Sequence, residues 1–166
     1  MQKLHILHLY ALLMLILTVL SLSSCKAHDD FLSWNEPPLS FIGEYEENGV
    51  LFTARFTADG ERLTAVILSP EAAADVTYTL ANGVVTVSYG GVTERIETLP
   101  APLTRFLLLY PENAVLSRVT QEADARLVYV VADGGSYCYR FDGDGLPTHV
   151  TAETAHGFYS LTIRKK

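Results

Sequence analysis

Basic residues are few in this 166-residue sequence, and the common catalytic motifs are absent from it. Lys and Arg number 12 against 19 Asp and Glu, which gives a formal charge of −7. An acidic chain repels phosphate backbones, so we expect no nucleic-acid partner. A Gly-x-Ser-x-Gly elbow, a glycine-rich phosphate loop, His-Glu-x-x-His and Cys-x-x-Cys are all absent, and their absence disfavours an enzyme.

Metal-ligand patterns are also missing from the sequence. His28, His149 and His156 are irregularly spaced. The run 142–145, Asp-Gly-Asp-Gly, superficially looks like the start of a calcium loop, but no helices are predicted on either side of it, as an EF-hand would need. Asp and Gly suit a tight turn there. We therefore predict neither a metal nor a cofactor.

The N-terminal residues have the pattern of an export signal. Lys3 precedes an apolar run from Leu9 to Leu20 that only Thr18 interrupts, and the run is shorter than the roughly 20 apolar residues that span a bilayer. The residues that follow, Leu22, Ser23, Ser24 and Cys25, resemble the lipobox of bacterial lipoproteins. An ordinary secretory signal or an uncleaved anchor is the alternative.

The lipobox resemblance implies both the division of the chain and its location. Residues 1–24 would be a lipoprotein signal peptide, residues 25–40 the lipidated Cys25 with a tether, and residues 41–166 the domain. We expect a lipid anchor in the cell membrane or the outer membrane, facing away from the cytoplasm. Since acylation would consume Cys25, Cys138 has no partner for an internal disulfide, and the domain must depend on its core.

From Phe41 onward, apolar and polar residues alternate with a period of two. The turn pairs Asp59-Gly60, Asn82-Gly83 and Gly90-Gly91 separate the alternating runs. This pattern predicts a mainly β domain built on one antiparallel sheet of about nine or ten strands.

One stretch departs from that period. Pro100 and Pro102 interrupt the strands, and apolar residues between Leu103 and Tyr110 then recur at helical spacing. The spacing predicts one short helix over 103–110, packed against the sheet. A leucine-rich strand is the alternative for this stretch.

The order of these elements carries a second resemblance. It runs from the strand with Gly43-x-Tyr45, through Leu68-Ser-Pro-Glu71 and Asn82-Gly83, to the helix and the segment Ser136–Pro147. This order resembles the lipoprotein-sorting carrier superfamily, the LolA-like proteins. The resemblance implies a sheet curved into a half barrel and closed by helices, with an apolar concave face able to hold an acyl chain. It carries over no catalytic residue.

Two functions fit this description. The first is a non-enzymatic envelope lipoprotein that binds lipid or acyl chains in the concave face. The alternative is an accessory or scaffold lipoprotein that binds another envelope protein through the sheet surface. A cavity of several hundred Å³ would favour the first, and a filled core the second. The candidate lining residues, taken from the inward alternation, are Phe52, Phe56, Val66, Tyr78, Val87 and Phe106.

Overall fold

The computed structural model describes residues 33–143 and 145–164. The predicted signal peptide, the lipobox with Cys25 and residues 26–32 of the tether therefore lie outside the described residues. The described part is one antiparallel sheet of eleven strands with one α-helix, α1 (Ala101–Leu107), which confirms the predicted fold class. In chain order the strands are β1 Leu39–Glu47, β2 Val50–Asp59, β3 Arg62–Ser69, β4 Thr77–Ala81, β5 Val84–Tyr89, β6 Val92–Ile96, β7 Val115–Gln121, β8 Arg126–Ala132, β9 Gly135–Phe141, β10 His149–Thr154 and β11 Gly157–Arg164.

Strands adjacent in the chain are adjacent in the sheet, except where the helix intervenes. The order across the sheet is β6-β5-β4-β3-β2-β1-β11-β10-β9-β8-β7, so the first and last strands of the chain meet in the middle. Helix α1 connects β6 to β7, which are the two edge strands. Because these edges do not pair with each other, the curved sheet stays open as a half barrel. No helix in the described residues is long and apolar enough to cross a membrane.

Tight turns at the predicted Asn-Gly and Gly-Gly pairs set the register of several hairpins. In Asn82-Gly83, which joins β4 to β5, the φ angles are 51° and 71°. Both central residues of a type I′ turn need positive φ, and Asn and Gly tolerate it best. Asn48-Gly49 turns β1 into β2 in the same way, with φ angles of 53° and 77°.

The helix is present but begins and ends earlier than predicted. It covers Ala101–Leu107 rather than 103–110, because Pro100 is its N-cap and Pro102 lies in its first turn. Proline is tolerated there, since the first helical N–H groups have no partner within the helix. Beyond Leu107 the chain continues in i→i+3 turns, with the Tyr110 N–H donating to the Leu107 carbonyl at 2.9 Å.

Helix α1 packs on one face of the sheet, which we call the inner face. Phe106 of the helix is fully buried, and its ring centroid lies 5.2 Å from that of Phe56 on β2 and 5.6 Å from that of Phe41 on β1. Phe41 and Phe56 stack on each other at 5.2 Å. These three rings form the centre of the core, where aromatic burial and ring contacts both stabilise the fold.

The segment before β1 covers another part of the inner face. The ring of Trp34 lies 5.4 Å from that of Tyr139 and 5.9 Å from that of Phe141, both on β9. The side-chain amide of Asn35 donates to the Leu109 carbonyl at 2.8 Å. Residues that composition assigns to the tether are thus packed on the sheet.

Candidate functional site

Four of the six predicted lining residues share the inner face of the sheet. Paired residues of an antiparallel sheet point to the same side. Phe56 pairs with Ala65, Ala65 with Tyr78, and Tyr78 with Val87. The predicted residues Phe56, Tyr78 and Val87 therefore project inward, together with Ala65. Phe52 lies four residues before Phe56 on β2 and shares its face. The fifth predicted residue, Phe106, belongs to helix α1 and contacts Phe56 on the inner face.

The prediction that Val66 belongs to this face is wrong. Val66 pairs with Arg55, so it projects from the outer face, and its smaller neighbour Ala65 is the residue opposite Phe56. Hydrophobicity favoured the valine, but the alternation along β3 places the alanine inward, where it leaves room for the aromatic rings. Phe56 and Phe106 are 0% exposed and pack against each other in the filled core.

A cavity of about 150 Å³ lies between the N-terminal end of α1 and the inner face of the sheet. A core cavity of about this volume holds one benzene-sized molecule, or about six carbons. It is smaller than the several hundred Å³ expected above of a cavity for a whole acyl chain, so it has room only for the end of one. Two predicted residues, Phe52 and Tyr78, are in its wall. The complete lining is Tyr45, Glu47, Phe52, Ile67, Ala73, Tyr78, Pro100, Ala101 and Pro102.

Aromatic rings form one wall of this cavity. Tyr45 is 3% exposed, and its ring stacks on that of Phe52 at 5.3 Å with an interplanar angle of 8°. Burial raises the pKa of Tyr45 far above its ordinary range, and the neighbouring Tyr78 phenol raises it further. The Tyr45 hydroxyl therefore stays uncharged at physiological pH and can donate a hydrogen bond.

The charged group in the wall is Glu47, which a buried arginine holds in place. Arg105 of α1 is 5% exposed and donates to the Glu47 carboxylate at 2.7 Å and to the Glu46 carbonyl at 3.3 Å. Its guanidinium lies 4.4 Å from the ring centroid of Tyr159 and 5.7 Å from that of Tyr45. The ion pair and the ring contacts hold Arg105 in place next to Glu47, and Arg105 itself is not among the lining residues.

A larger cavity of about 290 Å³ lies at the opposite end of the sheet and is polar. Two of its lining residues pair with Arg140, Asp142 at 2.9 Å and Asp124 at 3.6 Å. The guanidinium of Arg126 covers the Phe141 ring at 4.7 Å. Among the residues that the structure describes, no group of three or more His, Cys, Asp or Glu is arranged to hold a metal ion. We interpret this cavity as a solvated surface cleft.

Comparison with known proteins finds similar structures but no similar sequences. No family model and no curated protein matches the sequence. An uncharacterised conserved protein from Thermus thermophilus is similar in structure, at a TM-score of 0.50 and 10% identity over 81% of this chain and 80% of that one. A LolA superfamily protein from Nitrosomonas europaea is similar at a TM-score of 0.46 and 12% identity over 81% and 88% of the two chains. The likeness is one of fold.

Sequence reasoning missed most of the cavity wall. Tyr45 could have been found, because its spacing from Phe41 and Gly43 in β1 places it on the inner face. Ala73 and Pro100 come from segments outside the strands, and only the tertiary fold brings them to this wall.

Proposed function

We propose that the protein is a lipid-anchored, non-enzymatic binding protein of the cell envelope, and that its inner-face cavity takes the end of an acyl chain. The observation that carries this proposal is the cavity between α1 and the sheet. Its wall is mainly apolar and aromatic, with Phe52, Ile67 and the two helix prolines in contact with the space. Apolar walls with a few polar groups are typical of small-molecule sites.

The volume limits the ligand. About six carbons fit, and their burial is worth about 5 kcal/mol before the costs of association. A gain of 5 kcal/mol corresponds to a dissociation constant of about 0.2 mM, and the costs of association weaken it, so a free six-carbon ligand binds in the millimolar range at best. Such weak binding suits a protein that meets its ligand at a high local concentration.

The predicted anchor would supply that concentration. Trp34, which packs on the sheet, is nine residues after Cys25 in the sequence. Fully extended, nine residues span at most about 30 Å. A lipid on Cys25 would therefore hold the domain beside the bilayer, where acyl chains are the abundant apolar ligand.

A chain-length series tests the proposal. We expect the affinity for butanol, hexanol, octanol and decanol, measured by NMR titration, to rise up to about six carbons and then level off. Ala73→Leu should fill the cavity and abolish binding. The matched control is Ala72→Leu, at the neighbouring position outside the wall. Affinity that keeps rising through decanol, or unchanged binding by Ala73→Leu, would refute the proposal.

A second candidate function, docking of another envelope protein, is favoured by a different observation. Most of the exposed large apolar side chains lie at one end of the sheet, where β2, β6, β7 and β11 begin and β5 and β8 end. Grouped exposed apolar residues are typical of interaction surfaces. These strand-end residues are Val50, Leu51, Tyr89, Val92, Val115, Val131 and Phe158, all between 44% and 69% exposed.

Site-specific photo-crosslinking in cells tests this second candidate. A crosslinker in place of Phe158 should capture one defined protein. The same crosslinker in place of Arg55, exposed on the outer face away from the strand ends, should not. Equal adducts at both positions, or none at Phe158, would count against docking.

A further inference from the structure

Five adjacent strands form a row of side chains across one end of the sheet, on the outer face. Val115 of β7 pairs with Val131 of β8, and Val131 pairs with Ser136 of β9. Ser136 pairs with Glu153 of β10, and Glu153 pairs with Phe158 of β11. Because paired residues of an antiparallel sheet share a face, these five side chains lie side by side over about 19 Å. We call them the outer row.

The outer row is exposed and mostly apolar. Phe158 is 69% exposed, Val115 54% and Val131 51%. Covering these side chains would remove apolar surface from water, which favours a partner that has apolar groups of its own.

The acidic residues around the outer row have no cationic partner. Glu153 belongs to the row, and Asp133 lies in the turn between Val131 and Ser136. Glu112 is close by, because the Asp133 N–H donates to its carbonyl at 3.3 Å. All three acids are exposed, and none forms an ion pair with a residue that the structure describes. The row therefore combines apolar side chains with uncompensated negative charge.

The same charge extends over this whole end of the sheet. Its connecting segments contain seven Asp and Glu but no Lys or Arg, and only Glu47 is neutralised, by Arg105. Arg118 lies one row further in on the outer face, where it packs on the Tyr129 ring at 4.4 Å. The connecting segments are 46–51, 69–76, 89–92, 110–115, 131–136 and 153–158.

This charge disfavours two occupants of the outer row. A second copy of the chain, docked through the same surface, would bring its own acids against these, and like charges across an interface oppose association. An anionic bilayer surface would be repelled for the same reason. A protein segment that carries both apolar and basic side chains is complementary to the row in both respects.

We infer that the outer row docks a cationic amphipathic segment of another protein, whose apolar side chains cover Val131 and Phe158 while its Lys or Arg side chains pair with Asp133 and Glu153. This inference rests on the second candidate function, docking, because it names the chemistry of the partner. It does not depend on acyl binding at the inner face.

Two amphipathic peptides with the same leucine positions and opposite charge test the inference. We expect the Leu/Lys peptide to bind, as measured by fluorescence anisotropy, and the Leu/Glu peptide to bind at least about tenfold more weakly. Phe158→Ser should weaken binding of the Leu/Lys peptide about tenfold, because it removes the largest apolar side chain of the row.

A pair of charge-reversed variants shows whether the position of the acids matters. Glu112→Lys with Glu153→Lys should weaken binding of the Leu/Lys peptide at least about tenfold. The matched control, Glu61→Lys with Glu97→Lys, changes the net charge equally at exposed positions at the opposite end of the sheet. It should change the affinity by no more than about twofold.

The outcomes separate the inference from the docking function beneath it. No binding of the Leu/Lys peptide, equal binding of both peptides, or equal loss in the two charge-reversed variants would overturn the inference. Binding to phosphatidylglycerol vesicles that Phe158→Ser abolishes would overturn it in favour of a membrane contact. If the crosslinker at Phe158 captures no protein in cells, docking itself fails. If it captures a protein that Glu112→Lys with Glu153→Lys captures equally well, docking remains and the cationic partner is overturned.

Discussion

Replacing Gly43 by alanine should destabilise the domain, although the same change in an ordinary strand is favourable. Gly43 lies in the middle of β1, and a Cβ there would stand 2.8 Å from Leu161 Cδ1 and 2.8 Å from Phe56 Cε2. Carbon atoms prefer about 3.5–4.0 Å, so these neighbours must move by about 1 Å. The Phe56 ring has little freedom to move, because Phe41 and Phe106 hold it from two sides. Overpacking of this kind costs about 1–3 kcal/mol.

The sign of the effect decides between two explanations. Backbone entropy alone predicts that alanine stabilises a strand by about 0.5–1 kcal/mol relative to glycine. Urea denaturation should instead show a lower midpoint for Gly43→Ala with an unchanged slope. Phe56→Leu should make room for the new methyl, so the double variant should lose less than the sum of the single ones. A Gly43→Ala protein as stable as the wild type would refute the steric explanation.

Three further predictions concern the anchor, a buried hydrogen bond and pH. Cys25→Ser should abolish metabolic labelling with an alkyne fatty acid, and equal labelling of the wild type and the variant would contradict the lipobox. Tyr139 is 0% exposed and donates to the Leu108 carbonyl at 2.9 Å, so Tyr139→Phe should cost about 1–3 kcal/mol in urea denaturation, and a neutral result would contradict that value. Burial, with Arg140 nearby, lowers the pKa of His149 below its ordinary 6.5, so the unfolded state binds more protons below that pH and stability should fall as the pH drops. His149→Gln should flatten this part of the stability–pH curve, and an unchanged slope would contradict the argument.

The sheet was predictable because its local signals agree with one another. Alternation of period two and the Asn82-Gly83 turn both indicate antiparallel hairpins, and the structure has them. The structure has eleven strands where the sequence predicts nine or ten, and β7 lacks a clear signal because its alternation is broken. The register shifts between Leu116 and Arg118, and only the partner strand β8 restores the pairing.

The cavity was less predictable, because it depends on where separate segments meet. Phe52 and Tyr78 follow from strand alternation. The contribution of Pro100 and Pro102 to the cavity wall does not follow from the sequence, since the two prolines indicate only an interruption of the strands. Glu47 belongs to a Glu-Glu pair beside a turn, and alternation in β1 places it on the same face as Tyr45 and Glu46 on the other. Its ion pair with Arg105, far along the chain, could not be predicted from the sequence.

Intermolecular NOEs between hexanol and the methyl-labelled protein are the most direct test of the central claim, that the inner-face cavity binds the end of an acyl chain. We predict NOEs from the hexanol methyl to the methyl groups of Ile67 and Ala73, two wall residues on different segments. The claim would be contradicted if hexanol at saturation gave no NOE to these residues, or gave NOEs only to Val92 and Val115 at the exposed strand ends.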